Sequence, residues 1–384
     1  MSAELPSSWS PSSSGSPDSG LPDPGSPCSA SASADLSAIL QTSLSPDVEP
    51  LSQARAHAQS AYLWACAMDV AVRKPGNVSL HSAGHDMRAR QFLDSARASA
   101  PALFDARAGV GARIEAAVRA TRAVVGCNTN LGILLLCAPL ARAVEGLAGG
   151  GRVEGLEGRD GRPGPESLAA ARLQAALEAV LQALDLDDAC AAYRAIATAH
   201  PGGLGTAPEQ DVAAEPDVSL RAAMRLAADR DLIARQYASG FADVLALGLA
   251  AFAVPAHLAQ MTIAQRVQRV YLAWLSAHPD SHIVRKQGAT AACAVSAEAA
   301  IWRDRLASAP DAAESADFAA WDESLKARGL NPGTSADLTV CTLFVAALLA
   351  PTLHVQDRAT LDALYGNARA GMPPHTMEQS LLSP

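Results

Sequence analysis

Lysine and asparagine are the scarce polar residues of this chain of 384 residues: Lys74, Lys286 and Lys326 are its only lysines, and Asn77, Asn128, Asn130, Asn331 and Asn367 its only asparagines. Elsewhere the basic residues are arginine. The scarce residues are concentrated. Lys74 and Asn77 share Lys74-Pro75-Gly76-Asn77-Val78-Ser79, Asn128 and Asn130 share Cys127-Asn128-Thr129-Asn130-Leu131-Gly132, Lys286 follows Arg285 and precedes Gln287-Gly288, and Asn331 opens Asn331-Pro332-Gly333-Thr334-Ser335-Ala336-Asp337. A lysine is a compact charge suited to phosphate, and an arginine is a planar fork; the two are not equivalent. Gly76, Gly132, Gly288 and Gly333 would let backbone come close to a ligand. Helix capping and turn chemistry explain any one of these motifs equally well. Four of them holding most of the scarce residues point to one shared site.

The acids that could serve that site are Asp86, Asp280 and Asp337. Each could accept a hydroxyl proton, and Asp280 and Asp337 could hold Mg²⁺ beside substrate phosphates. His85 and His282 are titratable neighbours of two of these acids. Asp337 could equally be a first-turn partner of a helix dipole. Asp229 and Asp231 read as partners of nearby arginines on a solvated face. Pro201-Gly202-Gly203-Leu204-Gly205 could cradle phosphate, a weak signal alone. The chain has no zinc-protease, Walker or dinucleotide fingerprint.

All these groups must be positioned by helices. Ala58, Ala61, Tyr62, Ala65, Met68 and Val72 recur at helical spacing until Lys74-Pro75-Gly76-Asn77 stops them. Similar spacing returns near 89–100, 110–125, 131–147, 167–184, 187–199, 219–236, 239–251, 256–277, 288–307, 313–328, 335–350 and 357–369. Strand patterns are nearly missing, and Ala and Leu dominate. The expectation is an all-α fold: one multi-helix domain over 50–372 around a central polar cleft. A disordered Ser/Pro/Gly-rich tail is expected at 1–48, a surface loop at 148–165 and a flexible end at 373–384.

Composition narrows the function. A net charge of −9 and only 4% aromatic residues argue against nucleic-acid binding. The apolar run from Leu131 to Leu140 is far short of the ~20 residues needed to span a bilayer. The N-terminus lacks the basic start and apolar stretch of a secretory signal. Seven cysteines without a Cys-x-x-Cys pair, with Cys66, Cys127, Cys137 and Cys341 in apolar surroundings, fit a reducing cytoplasm. The expected partners are small-molecule nucleotides, with no nucleic acid and no membrane. The sequence sets no oligomeric state.

In order along the chain, Lys-Pro-Gly-Asn-Val at 74–78, His85-Asp86-Met87, Asn128-Thr129 with Gly132, Asp280 with Arg285-Lys286-x-Gly288, and Pro-Gly-x-x-Ala-Asp-Leu at 332–338 form a series. That series resembles the triphosphoribosyl-dephospho-CoA synthase family over about residues 55–350. The resemblance implies an all-helical enzyme that uses ATP with Mg²⁺. Such an enzyme transfers the triphosphoribosyl group of ATP to the ribose 2′-hydroxyl of 3′-dephospho-CoA and releases adenine. It would give Lys74, Arg285 and Lys286 the phosphates, and Asp86, Asp280 and Asp337 metal or base duty. Asn77, His85, Asn128, Thr129, Asn130, His282 and Asn331 would then contact substrate.

The best-understood synthases carry Pro-Gly-Leu-Val-Asp where this chain has Pro75-Gly76-Asn77-Val78-Ser79, and Asn-Thr-His-Lys-Gly where it has Asn128-Thr129-Asn130-Leu131-Gly132. An acid, an imidazole and a lysine are missing, so the chain resembles a divergent branch found in archaea and in bacteria that use one-carbon cofactors. Two other readings stand beside it. One keeps the nucleotide site but changes the acceptor to an intermediate of a methanopterin- or methanofuran-type carrier. The other is a non-catalytic helical scaffold.

Overall fold

The computed structural model describes residues 51–148 and 165–366 apart from positions 204, 207, 208, 256, 257, 259 and 357. The expected tail at 1–48, nearly all of the loop at 148–165 and the end at 373–384 lie outside the described residues. Sixteen α-helices and no strand occur among the described residues. The first half contains α1 (Leu51–Ala71), α2 (Ala89–Leu103), α3 (Val110–Val125), α4 (Leu131–Ala148), α5 (Pro165–Ala183) and α6 (Leu186–Ala199). Then come α7 (Leu220–Ala227), α8 (Leu232–Ser239), a π-helical turn Val244–Gly248, α9 (Leu249–Phe252) and α10 (Ile263–Ala277). The last part holds α11 (Ser281–Gln287), α12 (Ala289–Ser308), α13 (Ala316–Ala327), α14 (Gly333–Leu349), α15 (Thr352–Gln356) and α16 (Arg358–Gly366).

The centre of the fold is α14, apolar and buried on nearly every face. Its interior threonines return their hydroxyls to the helix, Thr339 to the Ser335 carbonyl at 2.7 Å and Thr342 to the Leu338 carbonyl at 2.8 Å. No buried hydroxyl is thus left unpaired there. Helices α1, α4 and α10 pack around it. A smaller aromatic cluster joins α10, α12 and α13 through Tyr271, Phe318 and Trp321. Pro139 stands inside α4 and cannot donate to the carbonyl four residues earlier. The Tyr237 hydroxyl of α8 donates to that carbonyl, of Leu135, at 2.6 Å and so locks α8 onto α4.

The apolar spacing over 219–236 predicts one helix, and the structure has two. Asp231 breaks the run: its Oδ1 accepts from the Ile233 and Ala234 amides at 2.9 and 3.1 Å and starts α8 afresh. Helix α11 has no counterpart in the predicted set, because seven residues are too few to show a period. Among the described residues no helix is long and apolar enough to cross a membrane.

Candidate functional site

A cavity of about 740 Å³ opens where the N-termini of α4, α8, α11 and α14 meet the connection between α1 and α2. Its size suits a nucleotide-sized ligand. Asn77, His85, Asn128, Thr129, Asn130, His282, Arg285, Lys286, Asn331 and Asp337 all line it. Lys74, Asp86 and Asp280 do not.

The turn at 74–77 is held from several sides. Tyr271 Oη donates to the Pro75 carbonyl at 2.6 Å, the Gly76 amide donates to Asp322 Oδ1 at 2.8 Å, and His85 Nε2 lies 2.8 Å from the Gly76 carbonyl. Asp322 is itself fixed by Lys326 at 2.9 Å. Asn77 Nδ2 donates to Asn331 Oδ1 at 3.0 Å, joining two of the scarce asparagines across 254 residues. Asn77 Oδ1 is buried with no partner among the described residues, so the cavity wall carries an unused acceptor.

At the head of α4, Asn128 Oδ1 accepts from the Leu131 amide at 3.1 Å, a capping role. Thr129 Oγ1 lies 2.5 Å from Ser95 Oγ, and Asn130 Nδ2 donates weakly to Ser99 Oγ at 3.4 Å. The motif is therefore both cap and cavity wall; those two readings do not compete.

Three sequence expectations meet a different geometry. Lys74 is wholly buried and pairs with Asp69, Nζ to Oδ1 at 3.0 Å, while also donating to the Asp69 carbonyl. Its charge is spent inside the protein, and Asp69 is the residue that reaches the cavity. Asp280 is also wholly buried, and its carboxylate accepts four hydrogen bonds: from the His282 and Ile283 amides at 2.9 and 3.1 Å, and from the Ser335 amide and hydroxyl at 2.7 and 2.8 Å. It caps α11 and ties it to the first turn of α14. Asp86 is exposed, in a left-handed turn with φ +61°.

Asp337 behaves differently. It lines the cavity and, among the described residues, accepts no hydrogen bond and makes no ion pair. Burial, then the charges of Asp69 and Asp280, push its carboxyl well above the usual range, with Arg285 opposing. Burial also raises Asp69, against the pull of Lys74. His282 is pushed down to about 3 by burial and by Lys286, Arg285 and His85, so its imidazole is neutral.

Several cavity residues escape sequence reasoning. Asp231, expected on a solvated face, lines the cavity and pairs through Oδ2 with Arg285 Nη1 at 2.7 Å. Arg122 and Arg230 stand on the cavity wall, as do Cys127, His200, Pro201, Gly202, Gly205 and Thr206. Asp69 had a usable signal: it is the sole acid between Leu51 and His85, and it continues the apolar stripe through Tyr62, Ala65 and Met68. Charge on a buried stripe marks a site. The cavity is thus lined by both signs of charge, with Asp69, Asp231, Asp337, Glu209 and Asp211 among its acids and Arg122, Arg230, Arg285 and Lys286 among its cations.

The sequence profile of the ATP:dephospho-CoA triphosphoribosyl transferase family matches residues 55–354, which span the cavity and every helix that builds it. The chain belongs to that family. Among solved structures it is similar to a protein from Archaeoglobus fulgidus described as a triphosphoribosyl-dephospho-CoA synthase, with 22% identity and a TM-score of 0.47 over 66% of this chain and 97% of that one. No curated protein matches it. As a triphosphoribosyl transferase the chain is an enzyme rather than a scaffold. Asn77, Asn130 and Leu131, where it departs from the better-understood synthases, all line the cavity, and Ser79 is buried nearby.

Proposed function

We propose that the cavity binds ATP and dephospho-CoA together and that Asp337 accepts the proton of the attacking ribose hydroxyl. Displacing adenine from C1′ of ATP needs three things: charge neutralisation on the triphosphate, a base for the hydroxyl, and exclusion of water from an electron-poor carbon. Arg285, Lys286, Arg230 and Arg122, all lining the cavity, supply the first. Asp337 supplies the second. The observation that carries the proposal is that Asp337 lies in a cavity with no partner among the described residues, its proton affinity raised by burial and neighbouring carboxylates. A carboxyl tuned upward is suited to proton transfer near neutral pH. The apolar walls from Phe92, Leu135, Ile196 and Met224 serve the third.

Magnesium fits part of the donor set. No group of three or more metal-ligating side chains occurs among the described residues. Mg²⁺ does not need one, since it commonly arrives on phosphates and takes one or two carboxylates. Asp280 has its oxygens engaged, which leaves Asp337, with Asp69 beside it, to hold the ion. Bound there, Mg²⁺ would neutralise phosphate charge. One Asp337 oxygen would remain for the hydroxyl proton.

The test is adenine release from ATP with dephospho-CoA as acceptor, in the wild-type chain and in Asp337→Asn. The expected result is release in the first and a loss of about 10²–10⁴-fold in the second. Equal release in both would remove Asp337 from the chemistry. In this reading the catalytic domain begins near residue 50 and the first 48 residues are dispensable for the reaction.

A further inference from the structure

Pro201 and Gly202 line the cavity beside the last turn of α11, and nothing in the reaction above uses them. Lys286 lies directly across Gly202: a β-carbon at 202 would stand 2.6 Å from Lys286 Cε and 3.2 Å from Nζ. One residue on, a β-carbon at Gly203 would meet the Arg285 carbonyl oxygen at 2.9 Å. The loop backbone is therefore pressed against Arg285 and Lys286, at a distance that only side-chain-free residues permit. Arg285 is anchored to Asp231 at 2.7 Å. Lys286 is not anchored: among the described residues no carboxylate pairs with it, and it is exposed to the cavity. An unpaired ammonium, laid along a loop that also lines the cavity, is oriented by that loop alone.

We propose that Gly202 is a positioning residue for polyphosphate. Having no side chain, it lets Lys286 cross the loop and present its ammonium to the terminal phosphates of the donor. The proposal rests on the reading of the cavity as a triphosphate site. A methyl group at 202 would collide with the far end of a flexible side chain and not with backbone, so the loop can survive the change while Lys286 is turned away. Gly202 should then act only through Lys286 and have no effect once that ammonium is removed.

The experiment uses the full chain and inorganic tripolyphosphate as the probe, with affinity measured by calorimetry, and KM for ATP and kcat measured alongside. Gly202→Ala and Lys286→Ala should each weaken tripolyphosphate about tenfold, the loss of one charge-assisted contact. KM for ATP should rise in both variants, and kcat in Gly202→Ala should fall no further than in Lys286→Ala. The double variant should be no weaker than Lys286→Ala alone, because both changes remove the same contact. Gly202→Ala that binds like wild type, or losses that multiply in the double variant, would overturn the proposal while the triphosphate reading stands. A wild-type chain that binds neither tripolyphosphate nor ATP would overturn both. Should Gly202→Ala fail to fold, Gly202→Ser in the Lys286→Ala background decides: a folded chain there, unchanged in affinity from Lys286→Ala, supports the proposal, and a further loss overturns it.

Discussion

Gly132, in the first turn of α4, is packed against the carboxylate of Asp337 in the first turns of α14, so that a β-carbon at 132 would come within 2.6 Å of Asp337 Cγ and closer still to Oδ2. Two helix N-termini therefore meet at a cavity carboxylate that makes no hydrogen bond and no ion pair among the described residues. Glycine is required at 132 for that approach and not for any turn. The positive ends of the two helices favour an anion there, but burial and the charges of Asp69 and Asp280 outweigh them.

Gly132→Ala should consequently displace the Asp337 carboxylate. Alanine is the better helix former by about 1 kcal/mol, which offsets part of the strain. The expected outcome is a small change in Tm with a loss of adenine release comparable to Asp337→Asn. Full activity in Gly132→Ala would show that the close approach has no part in catalysis.

Asp337→Asn should remove activity and raise stability at neutral pH. The folded chain holds the Asp337 proton to a higher pH than the unfolded chain does. The group thus favours folding most below the unfolded carboxyl value, near 3.9, and that contribution is lost as pH rises through the folded value. An amide carries no such loss. Tm of the variant should exceed wild type by a few degrees at pH 7, and the gain should vanish below about pH 4. A variant less stable than wild type at pH 7 would mean that the carboxylate is held by favourable contacts after all.

Asp280 should show the opposite balance. Its four hydrogen bonds join α11 to α14. In Asp280→Asn the amide nitrogen faces the donors of Ser335 or of the α11 amides, leaving buried groups unpaired at about 1–3 kcal/mol each. The expected result is a fall in Tm of many degrees, with any activity loss following from α11 and its Arg285–Lys286 end. Urea unfolding of Asp280→Asn measures this directly. A wild-type midpoint combined with lost activity would return Asp280 to the catalytic set.

The contrast between these two acids shows how far the sequence could be read. Helical periods are local, so most helices and the all-α class were legible. The exceptions are the break before Asp231, where one side chain overrides the spacing, and the short helices α11 and α15. The asparagine motifs were legible as a site because scarcity in an Arg- and Ala-rich chain marks them, and Asn77, Asn128, Asn130 and Asn331 do gather at one cavity. What each charged residue does was not legible. Whether Lys74 faces phosphate or Asp69, and whether Asp280 faces solvent or four donors, is set by contacts between distant segments. No spacing within one segment encodes them. Cys127 shows the same limit: it resembles Cys66, Cys137 and Cys341 in sequence context, yet those three are buried and Cys127 stands at the cavity wall.

His282 gives the last prediction, and its sign follows from burial. In the folded chain its pKa is pushed down to about 3, by burial first and then by Lys286, Arg285 and His85. Unfolded, the imidazole titrates near 6.5. Between these values the unfolded chain takes up a proton that the folded chain refuses, so the contribution of His282 to stability is complete above about pH 6.5 and is lost as pH falls. At pH 5 the loss is about 2 kcal/mol relative to pH 8. His282→Gln, which keeps a neutral polar side chain beside Gly333, should have a flatter stability profile across this window. Urea midpoints of the two proteins should differ most between pH 5 and 6.5 in how steeply they fall. The neutral imidazole also predicts that adenine release shows no inflection near pH 6.5 from this residue, so His282→Gln should leave the shape of the rate profile there unchanged. Parallel stability profiles for wild type and variant would mean that His282 is as free to protonate in the cavity as it is in water.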